Sequence, residues 1–116
     1  MPLGFKEDNS IKDFSACIKK YGEKAFWDDV DKKCYDIDGW QQVKKVKTYI
    51  KFSKDENILG IFRRVYKGKY YILIRTDKKW YAQTSRYGFS GIGLGNKPED
   101  AISASDVSFS IMERFR

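Results

Sequence analysis

Between residues 45 and 85 apolar and polar side chains alternate in four short runs joined by brief turns. A chain patterned this way is constrained towards antiparallel pairing of neighbouring strands, because the side-chain period is two and the connections are too short for crossovers. In residues 45–52, Val46, Thr48, Ile50 and Phe52 fall on one side and Lys45, Lys47, Tyr49 and Lys51 on the other. Three further strands are expected over 59–66, 69–75 and 79–85, with Lys67-Gly68 and Asp77-Lys78 as tight connections. Tyr70, Ile72 and Ile74 form the inner set of the third strand, with Lys69, Tyr71, Leu73 and Arg75 outward. Trp80, Ala82 and Thr84 form that of the fourth, with Lys79, Tyr81 and Gln83 outward. The adjacent Arg63 and Arg64 cannot both point outward without a bulge, so Arg64 and Tyr66 are assigned outward and Ile61 and Val65 to the core.

The flanks read as helical. Ser10 with Asp13 resembles a capping box before a helix over 11–21, whose apolar stripe is Ile11, Phe14, Cys17, Ile18 and Tyr21 and whose stop is Gly22. A second helical turn is expected over 24–30, and a strand over 34–37 leads into the Asp38-Gly39 turn. Residues 85–95 read as a glycine-rich connection that lacks the spacing of a phosphate loop. Asn96 with Glu99 then caps a helix over 97–113 with the stripe Ala101, Ala104, Val107, Ser108, Ile111 and Phe115, widened by Phe109 and Met112. The expected fold is α+β, one domain over 1–116: an antiparallel four-stranded meander with an N-terminal and a C-terminal helix packed on one face. Its segments are a helical 1–42, a basic aromatic sheet 43–97 and the helix 98–116.

Charge points to a class of partner. Residues 43–97 carry fourteen basic against three acidic side chains, a formal +11, and hold ten of the 19 aromatics; the whole chain is +7. Basic and aromatic residues interleaved on strands suit phosphate neutralisation and base stacking. The expected nucleic-acid-binding set is Lys45, Lys47, Tyr49, Lys51, Arg63, Arg64, Tyr66, Lys69, Tyr71, Arg75, Lys79 and Tyr81. DNA is the favoured partner and RNA the other. The alternative is an interaction protein of viral or mobile-element type that blocks a host nucleic-acid-handling or defence complex, because a basic sheet also fits an acidic protein surface.

The chain has no histidine and two cysteines, Cys17 and Cys34, too few ligands for a zinc site. Reduced buried thiols are expected, with a disulfide as the other option. Asp28, Asp29, Asp31, Asp36 and Asp38 cluster in sequence without the spacing of a calcium loop and read as a solvated acidic turn. A small metal-dependent nuclease built on Asp36, Asp38 and Lys44 is the enzymatic alternative to a non-catalytic protein. No cofactor is expected. The chain lacks an apolar run long enough to span a bilayer and a signal-like N-terminus, so a soluble cytoplasmic protein with no membrane partner is the expectation.

Gly60-Ile61, Arg63-Arg64, Gly68-Lys69-Tyr70, Ile74-Arg75, Leu94-Gly95 and the run from Glu99 to Asp106 resemble, in that order, the marks of AP2-type DNA-binding domains, with Tyr70 where tryptophan is usual. The resemblance covers residues 59–106. It implies a three-stranded sheet on one C-terminal helix that contacts a major groove through Arg63, Arg64 and Arg75, with Trp80.

Overall fold

The structure, a computed structural model, describes residues 3–115. The chain forms two compact units that divide between Gln41 and Gln42. The described residues form two helices and two antiparallel sheets, one of three strands and one of five, where a single four-stranded meander was expected.

The first unit contains β1 (Lys6–Asp8), α1 (Phe14–Tyr21), one 3-10 turn (Gly22–Lys24), β2 (Ala25–Asp28) and β3 (Lys33–Asp36), with sheet order β1-β3-β2. Asp13 caps α1 by accepting from the Ala16 N–H at 2.7 Å, which starts the helix later than the Ser10 signal implied. Gly22 ends it with φ 59°, a conformation that costs glycine little. Only Cys17 of the expected stripe is fully buried, and Phe14 and Ile18 are exposed. The helical turn expected over 24–30 is instead the 3-10 turn followed by β2, whose Phe26 pairs with Tyr35. Asp28 explains the break: its buried carboxylate accepts from the Val30 and Asp31 N–H groups at 3.0 and 3.2 Å and forms the hairpin turn to β3. Asp36 does the same for the Asp38 N–H at 3.0 Å.

Cys17 and Cys34 form a disulfide between α1 and β3, with their Cα atoms 5.6 Å apart, which corrects the reading of two thiols. The two positions become neighbours only once α1 lies on the sheet. The bond closes a loop of 17 residues, so its loss should lower the stability of this unit by roughly 3 kcal/mol through the entropy of the unfolded chain. The check is a thermal melt of C17S/C34S, expected to show an earlier transition for this unit while the second unit melts as before.

The second unit contains β4 (Gln41–Val43) at its border, β5 (Ile58–Tyr66), β6 (Lys69–Thr76), β7 (Trp80–Arg86), β8 (Phe89–Gly95) and α2 (Pro98–Arg114), the strands following one another in sheet order. Lys67-Gly68 and Tyr87-Gly88 both take positive φ at their two central positions, the backbone of a two-residue hairpin that matches strand twist. The Tyr87-Gly88 turn makes residues 89–95 a strand where a glycine-rich connection was expected.

Opposite residues in an antiparallel pair share a face, and this pairing separates sets that the sequence had put together. Leu73 lies opposite Ala82 and Phe62, while Ile72 lies opposite Gln83 and Arg63. The Trp80–Ala82–Thr84 row therefore faces the opposite way from Ile72 and Ile74. Both faces are covered, and residues 71–76 are buried throughout.

One face carries α2. The glycines of β8 make this contact possible: a Cβ on Gly91 would lie 2.1 Å from the Phe109 nitrogen, and one on Gly93 2.3 Å from that of Ser105. Pro98, Ala101, Ile102, Ser105 and Phe109 are the buried side of α2, while Val107, Ile111, Met112 and Phe115 are exposed. The periodicity favours the larger apolar row as the core side, and the structure turns it outward. Ala101 and Ser105 lie against the glycine row, which admits the helix backbone itself. The helix begins at Pro98, with Lys97 rather than Asn96 at the cap.

The other face is covered by residues 44–52. These keep the expected alternation, with Ile50 buried, Val46, Thr48 and Phe52 half-buried, and Lys45, Lys47, Tyr49 and Lys51 exposed, but they form no strand ladder. Ile50 packs with Ile61, Ile72, Ile74 and Tyr81, and Val46, Phe52 and Tyr70 join at the edge. The segment is thus an extended cover over the sheet instead of one of its strands. No described helix is long and apolar enough to cross a membrane.

Candidate nucleic-acid interface

The structure distributes the sequence-predicted binding residues over three environments. Lys45, Lys47, Tyr49 and Lys51 form the outer row of the covering segment, with Tyr49 74% exposed. Arg63, exposed on β5, lies on the same face of the sheet, opposite Ile72. Arg64, Tyr66 and Lys69 lie on the α2 face and are half-buried: Arg64 stacks over Tyr66 at 5.0 Å and Lys69 over Phe109 at 5.4 Å.

Tyr71, Arg75 and Tyr81 are buried, which corrects their outward assignment; Lys79 is half-buried in the β6–β7 turn. Arg75 lies over the Trp80 ring at 5.5 Å. The Tyr71 hydroxyl donates to Asp106 of α2 at 2.9 Å, and burial together with this carboxylate pushes the phenol well above its ordinary range. Thr84 ties the same helix down through Ser105 at 2.8 Å and Asp106 at 3.1 Å. These groups lock the sheet to α2.

Tyr81 does the corresponding work on the other face. Burial, then its bond to Glu56, pushes its phenol up to about 12. Its hydroxyl donates to both oxygens of Glu56, at 2.8 and 2.9 Å, and Thr76 donates to the same carboxylate at 2.8 Å. Burial alone would raise Glu56, but the Ser53 N–H, Thr76, Tyr81 and the Ser53 hydroxyl outweigh it and hold the carboxyl at about 2. Glu56 therefore anchors the chain just after the covering segment. Its folded-state pKa lies below the unfolded one, so its contribution is complete above about 4.5 and is lost as pH falls towards 2. Melting temperature measured across that window should fall less steeply for Glu56→Gln than for the wild type.

Where the outer row meets β6, β7 and β8 there is a cleft of about 370 Å³. Lys47, Thr48 and Tyr49 line it from the covering segment, and Tyr70, Gln83, Ser85 and Ser90 from the sheet, with Gly88 and Phe89 at the hairpin. Gln83 is buried and its amide is oriented by its partners. Its Oε1 accepts from the Tyr49 N–H at 3.0 Å and the Thr48 hydroxyl at 2.7 Å, and its NH2 group donates to the Ser85 hydroxyl at 3.1 Å. A backbone N–H can only donate, so the acceptor end of the amide must face the covering segment. Ser85 and Ser90 continue the chain of hydroxyls at 3.0 Å.

Tyr70, Gln83, Ser85 and Ser90 were not among the predicted binding residues. The alternation Gly91, Gly93, Gly95 after Tyr87-Gly88 marks β8 as a strand with a close neighbour on its α2 face, and the sequence carries no separate signal for the cleft on the opposite face. The nuclease alternative rests on Asp36, Asp38 and Lys44. Asp36 accepts from the Asp38 N–H, Asp38 pairs with Lys24 at 3.3 Å, and no group of three or more metal-binding side chains converges among the described residues. No protein-family model, curated protein or solved structure matches the chain.

Proposed function

We propose that this protein binds nucleic acid without cleaving it, through the exposed row Lys45, Lys47, Tyr49 and Lys51. The observation that carries this reading is that the row stands outward from a segment whose inner residues are fixed to the sheet, so three cations and a ring are presented together on a held backbone. Phosphates meet the lysines, and Tyr49 is available for stacking. Binding of this kind is dominated by counterion release and weakens as salt rises. The test is a mobility-shift panel of single- and double-stranded DNA and RNA at 50 and 200 mM salt, conditions chosen for the experiment to expose that dependence. A shift that weakens with salt is expected; no shift with any of the four would refute the reading.

A second reading, a protein-interaction module that blocks a host nucleic-acid-handling complex, draws on the exposed apolar side of α2, where Val107, Ile111, Met112 and Phe115 are each at least half exposed. Pull-down with and without nuclease treatment separates the two, since capture through a protein contact survives the nuclease.

A further inference from the structure

We infer that the cleft beside the outer row takes one unpaired base of a nucleic-acid strand, so that the protein selects single strands over duplexes. The inference rests on the binding role of the outer row and adds a ligand class to it. A volume of about 370 Å³ lies in the range of small-molecule sites and far exceeds a packing defect.

Its chemistry is selective. Tyr49 and Tyr70 offer aromatic surface, Lys47 a cation, and Thr48, Gln83, Ser85 and Ser90 polar edges; none of the described carboxylates lines it. A flat ring with a polar rim and an attached anion satisfies all three, and a nucleotide has this composition. Gln83 spends its oxygen on Thr48 and Tyr49 and one N–H on Ser85, which leaves its second amide N–H as a donor for a base edge.

A duplex does not present such a ring. Its bases are stacked and paired, and placing one in a cleft below the lysine row first requires unpairing and unstacking it. An unpaired strand can lay its phosphates along Lys45, Lys47 and Lys51 and turn one base inward without that cost. DNA and RNA share the ring and the phosphate, so both are candidates and the test includes each.

The experiment measures fluorescence anisotropy of labelled 12-nucleotide single strands of DNA and RNA, and of the corresponding duplexes, with wild type, Tyr49→Ala and Tyr70→Leu. Tyr49 is exposed, so its truncation leaves the core intact. The wild type is expected to bind at least one single strand about tenfold or more tighter than its duplex, and each variant to lose roughly tenfold on the single strand, the value of one base–aromatic stack, with a clearly smaller loss on the duplex. Equal single-strand and duplex affinity in the wild type, or an equal loss on both forms in Tyr49→Ala, overturns the base-in-cleft inference and leaves the lysine row standing. No binding of any nucleic acid overturns both.

Discussion

Gly93→Ala is expected to lower the melting temperature of the second unit by 10 °C or more. The added Cβ would lie 2.3 Å from the Ser105 nitrogen, 2.5 Å from the Ala101 oxygen and 2.6 Å from the Ala104 carbonyl carbon. All three are main-chain atoms of α2, so no rotamer change relieves the overlap and the helix must move away from β8. Moving it disturbs Phe109, Ile102 and Ala101, all buried, and the Thr84–Ser105 and Tyr71–Asp106 bonds. Overpacking of this kind costs about 3 kcal/mol or more, and each kcal/mol shifts the transition of a domain this small by several degrees. Gly68→Ala provides the contrast. Gly68 has φ 76° but nothing within 4 Å of an added Cβ, so only backbone strain of roughly 1 kcal/mol opposes it. Circular dichroism melts of the two variants check the argument; a Gly93→Ala transition within a few degrees of the wild type would show that α2 does not rest on the glycine row.

Simultaneous reversal of Lys45, Lys47 and Lys51 to glutamate is expected to weaken nucleic-acid binding by two to four powers of ten. An exposed ion pair contributes up to about 1 kcal/mol, and reversal replaces that attraction by a repulsion of similar size. Three reversals therefore remove about 3–6 kcal/mol. The fold should survive, because all three side chains point away from the Ile50–Ile61–Ile72 cluster. Reversal of Lys6, Lys12 and Lys19, exposed in the first unit, changes net charge by the same amount and controls for non-specific attraction. Comparable losses in the two triple variants, measured by anisotropy, would mean that overall charge and not the row is responsible.

The alternation in residues 45–52 was readable from sequence, and so was the exposed lysine row it creates. Its partner was not. Alternation fixes which side chains share a side, but whether the backbone enters a ladder depends on what lies across from it. Here part of that role falls to a side chain 34 residues on, the Gln83 amide that accepts from the Tyr49 N–H. The Lys67-Gly68 hairpin was legible because its conformation is local.

The assignment of one wet face to β6 failed for a different reason. Residues 70–74, Tyr-Tyr-Ile-Leu-Ile, form a nearly continuous apolar run, the pattern of a strand covered on both sides, so a period of two says nothing there about which side is wet. Which side of α2 would be buried depended on the Gly91–Gly93–Gly95 row of another element, and the Cys17–Cys34 bond on how α1 lies on its sheet. Neither relation is encoded in local periodicity.

The central claim, that the outer row of the covering segment is the nucleic-acid contact, is tested most directly by the salt dependence of binding. The measurement is the slope of log Kobs against log salt for the oligonucleotide that binds tightest, taken for the wild type and for K45Q/K47Q/K51Q. Three lost phosphate contacts should make the slope shallower by about 2 for a single strand. An unchanged slope would place the phosphates elsewhere on the protein and contradict the account.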